Sequence, residues 1–199
     1  MSNGKAAFWI AVAVIAFAAL YTWSAANGLI GYDEEVNQSY AQVQNVMQRQ
    51  ADLIPNLVEA VKGYAGHENK TLTQVAEARG RLSAVAKMDP AELAKNPDLQ
   101  KQLIEAQAQM NQAMLSINAV REAYPQLQAN ENFRSLMVAL EGSQNRITTE
   151  RMKNQQAVQR FNMRVRSFPR SVVAHALGYA PRPYFTASAE AQVAPKVKF

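Results

Sequence analysis

Few residues in this chain are of a type and spacing that could do chemistry. His67 and His175 are its two histidines, and His67-Glu68 is followed by Thr at position 71, so the two-histidine helix of zinc peptidases is missing. Helical carboxylates such as Glu105 and Glu150 lack the Glu-x-x-His companions of a di-iron bundle. There is no phosphate loop, dinucleotide fingerprint or nucleophile elbow, and no cysteine for thiolate chemistry. One constellation does break a local rule: Arg49, Gln50, Asp52, Pro55 and Asn56 sit inside an apolar seam, where a helix-interior proline costs roughly 3 kcal/mol. An active site or a structural joint could account for it. The seam continues on both sides, which favours the joint: Pro55 bends the helix outward, Asp52 and Asn56 cap the groups it frees, and Arg49 and Asp52 pair with neighbouring helices. This reading expects no catalytic activity, no cofactor, no metal and no small-molecule substrate. Catalysis by His67 or Asp52 is the residual alternative.

The elements that would hold these residues are helices. Val36, Tyr40, Val43, Met47, Gln50, Ile54, Leu57, Val61 and Tyr64 alternate in steps of four and three, a heptad seam on a helix over about 32–65. A second helix is expected over about 68–87, with Leu72, Val75, Ala76, Leu82 and Val85 on its apolar side and Asp89-Pro90 closing it. A third, capped by Asp98, covers about 98–124 with Leu99, Leu103, Ala106, Met110, Ala113, Ile117, Val120 and Tyr124 until Pro125 stops it. The fourth, about 131–168, carries Phe133, Met137, Leu140, Gln144, Ile147, Arg151, Asn154, Val158, Phe161, Val165 and Phe168. Four apolar-striped helices with short connections predict an all-α, antiparallel four-helix bundle over 32–168. Gln144, Arg151 and Asn154 fall at mid-bundle heights with Gln50. They form a buried polar layer that fixes register, or, if the heptad labels slip by one, a solvated face.

A short segment, 1–5, precedes an apolar run over 6–26 with no charge between Lys5 and Asp33. About 20 residues at 1.5 Å each cross the roughly 30 Å hydrocarbon layer, and Trp9, Tyr21 and Trp23 lie where interfacial aromatics belong. A cleaved signal peptide is the rival reading, from Ser24-Ala25-Ala26, but the run is longer than an ordinary signal core. Gly4, Ala11, Ala18 and Ala25 recur every seven residues, a small-residue stripe suited to packing neighbouring spans. The basic count puts the amino terminus in the cytoplasm and the bundle outside it.

With 21 Lys and Arg against 16 Asp and Glu, the placement of charge outweighs its total. Bundle topology brings Arg160, Arg164, Arg166 and Arg170 back to the bilayer, where anionic headgroups are their simplest partner, or else they form a solvated face. That placement excludes a nucleic-acid recognition surface. Residues 169–199 hold a short amphipathic turn and then a proline-rich, non-helical tail. Its apolar Tyr184, Phe185, Val197 and Phe199 are expected to dock, on a neighbouring subunit or in a partner that adds a strand or captures the carboxylate.

Runs of residues also resemble a known family. Asp33-Glu34-Glu35-Val36, Tyr40-Ala41-Gln42-Val43, Gln48-Arg49, Ala51-Asp52-Leu53-Ile54-Pro55-Asn56-Leu57-Val58, Val61-Lys62-Gly63-Tyr64-Ala65 and His67-Glu68 are similar to the LemA family of bacteria. So are Ala78-Arg79, Asn130-Glu131-Asn132-Phe133, Leu140-Glu141-Gly142, Asn145-Arg146-Ile147, Phe168-Pro169 and Pro183-Tyr184-Phe185. The resemblance implies a single membrane anchor, a helical bundle, no established enzymatic activity, and an association with membrane proteins or TPM-domain proteins in envelope maintenance. Members are described with the amino terminus outside as well, so orientation stays open. Here Tyr40 replaces a frequent Trp, Gln50 an Arg, Gln144 a Glu and Asn154 a Tyr, and Ala26 stands where a Tyr often precedes Asn27, which implies a polar layer closer to neutral. The expected function is a scaffold at the bacterial inner membrane that self-associates and organises membrane-protein partners. The alternative is an adaptor whose carboxyl-terminal tail is read by a PDZ-like domain or a protease.

Overall fold

The computed structural model describes residues 3–66 and 68–185; His67, Val197 and Phe199 lie outside the described residues. Among the described residues every regular element is helical: α1 (Asn3–Lys62), α2 (Asn69–Ala86), α3 (Pro90–Lys95), α4 (Pro97–Ala123), α5 (Pro125–Ala129), α6 (Glu131–Arg166) and α7 (Arg170–Ala176). Described residues up to Val36, with Gln156–Arg182, form one compact unit; Asn37–Gln155, with the described residues from Pro183 on, form another.

The gap that separates the apolar run ending at 26 from the bundle helix beginning near 32, and that holds Gly28 and Gly31, is itself helical. The apolar run and the first heptad seam are one helix, α1, which passes through both glycines and Pro55. Each glycine costs a helix about 1 kcal/mol relative to alanine, too little to end one flanked by Ala, Leu and Ile. Within α1 the burial changes along its length. Phe8, Trp9, Ile10, Ile15, Phe17, Leu20 and Trp23 are exposed, whereas Val36, Tyr40, Val43, Met47, Gln50, Ile54, Leu57 and Val61 are all buried. The apolar part is long and apolar enough to cross a membrane.

Pro90 and Pro125, read as stops, are starts, and Pro97 joins them. Pro90, Pro97 and Pro125 each open a helix at its first turn, where the missing N–H is no loss. Asp89 caps α3 by accepting from Ala91 N–H, and Asn96, not Asp98, caps α4 by accepting from Asp98 N–H, both at 2.9 Å. Asn130 does the same for α6 through Phe133 N–H at 2.9 Å. At the other end of α7, Gly178 adopts φ +77° and Tyr179 N–H reaches back to the Ala174 carbonyl at 2.9 Å, a left-handed cap that a β-carbon would strain.

The second unit's core holds Met47, Ile54 and Leu57 of α1, Leu82 of α2, Leu103, Met110 and Ile117 of α4, and Phe133 of α6. On α2 the buried position is Ala78, and Ala76 is exposed. Tyr64 and Phe168, expected to end their seams, are 45% and 84% exposed. Each lies beyond the last residue of its helix, where the heptad no longer sets its direction.

Candidate functional site

The Pro55 joint has a local explanation. Proline has no N–H to donate to the carbonyl four residues back, which belongs to Ala51. Arg79 Nε, on α2, donates to that carbonyl at 3.3 Å. The compensation comes from a neighbouring helix, not from Asp52 or Asn56. Asp52 is exposed and accepts from Gln48 Nε2 of its own helix at 2.7 Å. Arg49 and Asn56 are exposed too, and Asn56 lines a shallow surface groove with Glu59, Asn132 and Ser135. The expected pairing of Arg49 and Asp52 with neighbouring helices is corrected accordingly: both side chains are exposed, outside the buried seam, and Asp52 is paired within its own helix. Arg79→Ala is expected to destabilise the protein by about 1 kcal/mol, the ordinary worth of one hydrogen bond. Adding Pro55→Ala, which restores an N–H donor, should abolish that loss in a double-mutant cycle of chemical denaturation.

The single polar layer resolves into two levels. At the first, Gln107 Nε2 donates to Gln144 Oε1 at 2.7 Å and to Gln50 Oε1 at 3.3 Å, while Gln50 Nε2 reaches Gln144 Oε1 at 3.4 Å. This is a neutral amide cluster joining α1, α4 and α6. Gln107 was not among the expected residues. Its replacement by Leu should cost about 1–3 kcal/mol, because two partly buried carbonyls lose a donor. Leu at 50, 107 and 144 together should recover most of that loss in the same denaturation measurement.

The second level lies ten residues further along α6, about 15 Å away. Asn154 is fully buried and donates from Nδ2 to Ser39 Oγ at 2.8 Å. Half-buried Arg151 does not join the amides. Its guanidinium lies over the Phe185 ring, 4.9 Å from the centroid, and Phe185 packs on Tyr40 with centroids 5.2 Å apart. Gln155 Nε2 donates to the Phe185 carbonyl at 2.9 Å. Burial holds the Arg151 guanidinium below its ordinary value, with the neighbouring Tyr40 phenol acting in the opposite direction. Of the expected docking residues, Phe185 is thus buried against its own chain, whereas Tyr184 is 44% exposed.

The basic cluster is in the first unit. Arg160 pairs with Glu35, Arg164 lies over the Tyr32 ring at 5.2 Å, Arg166 is exposed, and Arg170 lines a cavity with Arg164 and Tyr32. The most buried cation there is not one of those four but Arg182. It pairs with Asp33, and its guanidinium stands over Phe161 at 5.4 Å. Asn162, buried, clamps its backbone from both sides: Arg182 N–H donates to Oδ1 at 2.7 Å and the Arg182 carbonyl accepts from Nδ2 at 2.9 Å. Burial, with Asp33 adding to it, pushes the Tyr179 phenol above its ordinary value, against the lowering effect of Arg182. A raised phenol value gives stability that is complete below about pH 10, the unfolded tyrosine value, and is lost as pH rises through the folded one. Tyr179→Phe should therefore flatten the alkaline fall in melting temperature between pH 9 and 11.

Among the described residues no three His, Cys, Asp or Glu side chains converge as metal ligands. What the geometry does offer is structural: amide clusters, a pinned tail and a buried ion pair, each joining segments distant in sequence. No curated protein matches the chain. A family model described as the LemA family does, over residues 39–199, from just inside the buried seam through the tail, and the chain belongs to that family.

Proposed function

We propose that this LemA family protein is a single-pass, membrane-anchored helical scaffold, without catalytic activity, that self-associates and organises membrane-protein partners of the bacterial envelope. One observation carries the reading. A single helix, α1, has an apolar stretch whose side chains find no protein to bury them, followed by a seam that is buried throughout. Lipid is the solvent that suits the first part, and partner helices suit the second. The way pairs run supports an antiparallel bundle: Ser39 meets Asn154, Gln50 meets Gln144 and Tyr64 meets Asn130, so positions on α6 fall as those on α1 rise. Tyr124, after α4, likewise meets Glu68, before α2. The amino terminus is cytoplasmic and the bundle outside. Protease accessibility in intact cells against spheroplasts tests that placement.

Ala25 is buried within its own chain, which leaves Gly4, Ala11 and Ala18 of the small-residue stripe for contact between spans. Mass measurement in mild detergent tests self-association on the full chain and on one ending at Phe185, which keeps the Tyr40 contact intact. A multiple of the protomer mass is expected for both. A monomer in both would sink self-association, and alkaline carbonate extraction of the full chain would sink the anchor. The adaptor reading draws on Phe185 itself, since fixing it gives the residues that follow a defined point of departure. Polar residues appended after Phe199 would then abolish partner capture.

A further inference from the structure

We infer that the cavity bounded by α1, the end of α6 and α7 is a binding site for the phosphate of an anionic phospholipid headgroup; the inference rests on α1 being a membrane span. The cavity measures about 220 Å³ and is lined by Ser24, Gly28, Leu29 and Tyr32 of α1 with Arg164 and Arg170. It is smaller than ordinary small-molecule pockets, and so has room for a headgroup and not for a whole lipid.

Its level, charge and rim agree. Ala6 to Trp23 spans about 27 Å at 1.5 Å per residue, close to the hydrocarbon thickness, so Ser24 to Leu29 run from the hydrocarbon boundary through the headgroup layer and Tyr32 stands at its outer edge. Of the three acids that follow, Glu35 is taken by Arg160 and Asp33 by Arg182. Among the described residues no carboxylate pairs with Arg164 or Arg170. Two guanidinium groups, the Tyr32 phenol and the Ser24 hydroxyl line the cavity as donors for an oxyanion, and no carboxylate is among its lining residues. Within two residues of Arg170 in sequence, Phe168 and Val172 are 84% and 62% exposed, apolar side chains that suit the acyl boundary. Free phosphate shares the recognising chemistry. The exposed apolar neighbours of Arg170 and the level along α1 favour a lipid.

The full chain in mild detergent would be titrated with short-chain phosphatidylglycerol, short-chain phosphatidylcholine and inorganic phosphate, with binding followed by Trp23 fluorescence and melting temperature. Saturable binding of phosphatidylglycerol is expected, at least tenfold tighter than of the other two. Arg164→Gln with Arg170→Gln should weaken it about 30-fold, near fivefold for each basic residue. Gly28→Leu is the control that leaves charge alone. A β-carbon at Gly28 meets nothing within 4 Å, so the new side chain fills the cavity without disturbing the helix, and it should abolish the preference. Equal affinity for the two lipids, or unchanged binding by both variants, would overturn the site. Inorganic phosphate binding as tightly as phosphatidylglycerol would overturn the lipid assignment. Flotation on phosphatidylcholine vesicles separates the premise: a wild-type chain that does not float overturns the span, whereas one that floats and shows no headgroup preference overturns the site alone.

Discussion

Asp33→Ala is expected to cost about 3–5 kcal/mol, the largest loss from any single change considered. It would leave the Arg182 guanidinium, whose side chain is 7% exposed, buried without its counter-charge. Arg182 cannot escape to water by a rotamer change alone, because Asn162 holds its N–H and carbonyl together and Phe161 lies beneath its guanidinium. The backbone clamp would have to open first. Chemical denaturation of the full chain in detergent measures the loss, and Arg182→Leu in the Asp33→Ala background is the informative companion. Removing the orphaned charge should return most of the stability even though no ion pair is restored, since the cost lies in an unpaired buried ion and not in the pair's attraction. If the double variant is no better than Asp33→Ala, the guanidinium is solvated and the pair is worth little.

Phe185→Ala is expected to cost about 3 kcal/mol, at the lower end for a buried phenylalanine because the site is at the edge of its unit. Three interactions go together: the tilted contact with the Tyr40 ring, the Arg151 guanidinium over its face, and the packing that keeps Gln155 on its carbonyl. Leucine separates them. It fills most of the volume but offers no π face, so Phe185→Leu should lose about 1 kcal/mol and leave Arg151 as the residue whose further truncation costs nothing. The alanine variant should also become cleavable just before position 185 by a protease that leaves the wild type intact, which distinguishes a released tail from a destabilised core.

The parts of this fold legible in sequence are those that repeat. Eight successive seam positions of α1 from Val36 to Val61 are buried, as are Leu103, Ala106, Met110, Ala113, Ile117 and Val120 of α4. A period of three and four residues is enough to mark them, whatever their partners. The amides that were missed share one rule. Gln44 follows Val43, Gln100 follows Leu99, Gln107 follows Ala106 and Asn162 follows Phe161, so each flanks a seam residue and is buried by a stripe wider than two positions per heptad. Two of them finish other elements: Gln44 Nε2 donates to the Val85 and Met88 carbonyls at 2.9 and 2.8 Å, and Gln100 Nε2 to Leu93 at 3.0 Å. A polar residue beside a seam is the signal that could have found them. Nothing periodic announces Arg182. It stands alone in Pro181-Arg182-Pro183 and meets Asp33 across 149 residues of sequence, a pairing that only the folded chain brings about. Pro55 was visible from its type, but Arg79, which makes it tolerable, was not, because the freed carbonyl belongs to another residue on another turn.

The unbroken course of α1 from its apolar stretch to Asp33 has a consequence for azimuth. Trp23 precedes Asp33 by ten residues on a continuous helix, about 15 Å of a rod that resists twisting about its own axis. Each residue turns such a rod by about 100°. With Asp33 held by Arg182, the compass direction in which Trp23, Leu20 and Phe17 face is set as well; a register slip of one residue would swing all three by that angle and break the pair. The ion pair thus acts as an index mark for the apolar stretch; in the membrane-anchored scaffold proposed above, it would decide which side looks toward lipid and which is left for a neighbour.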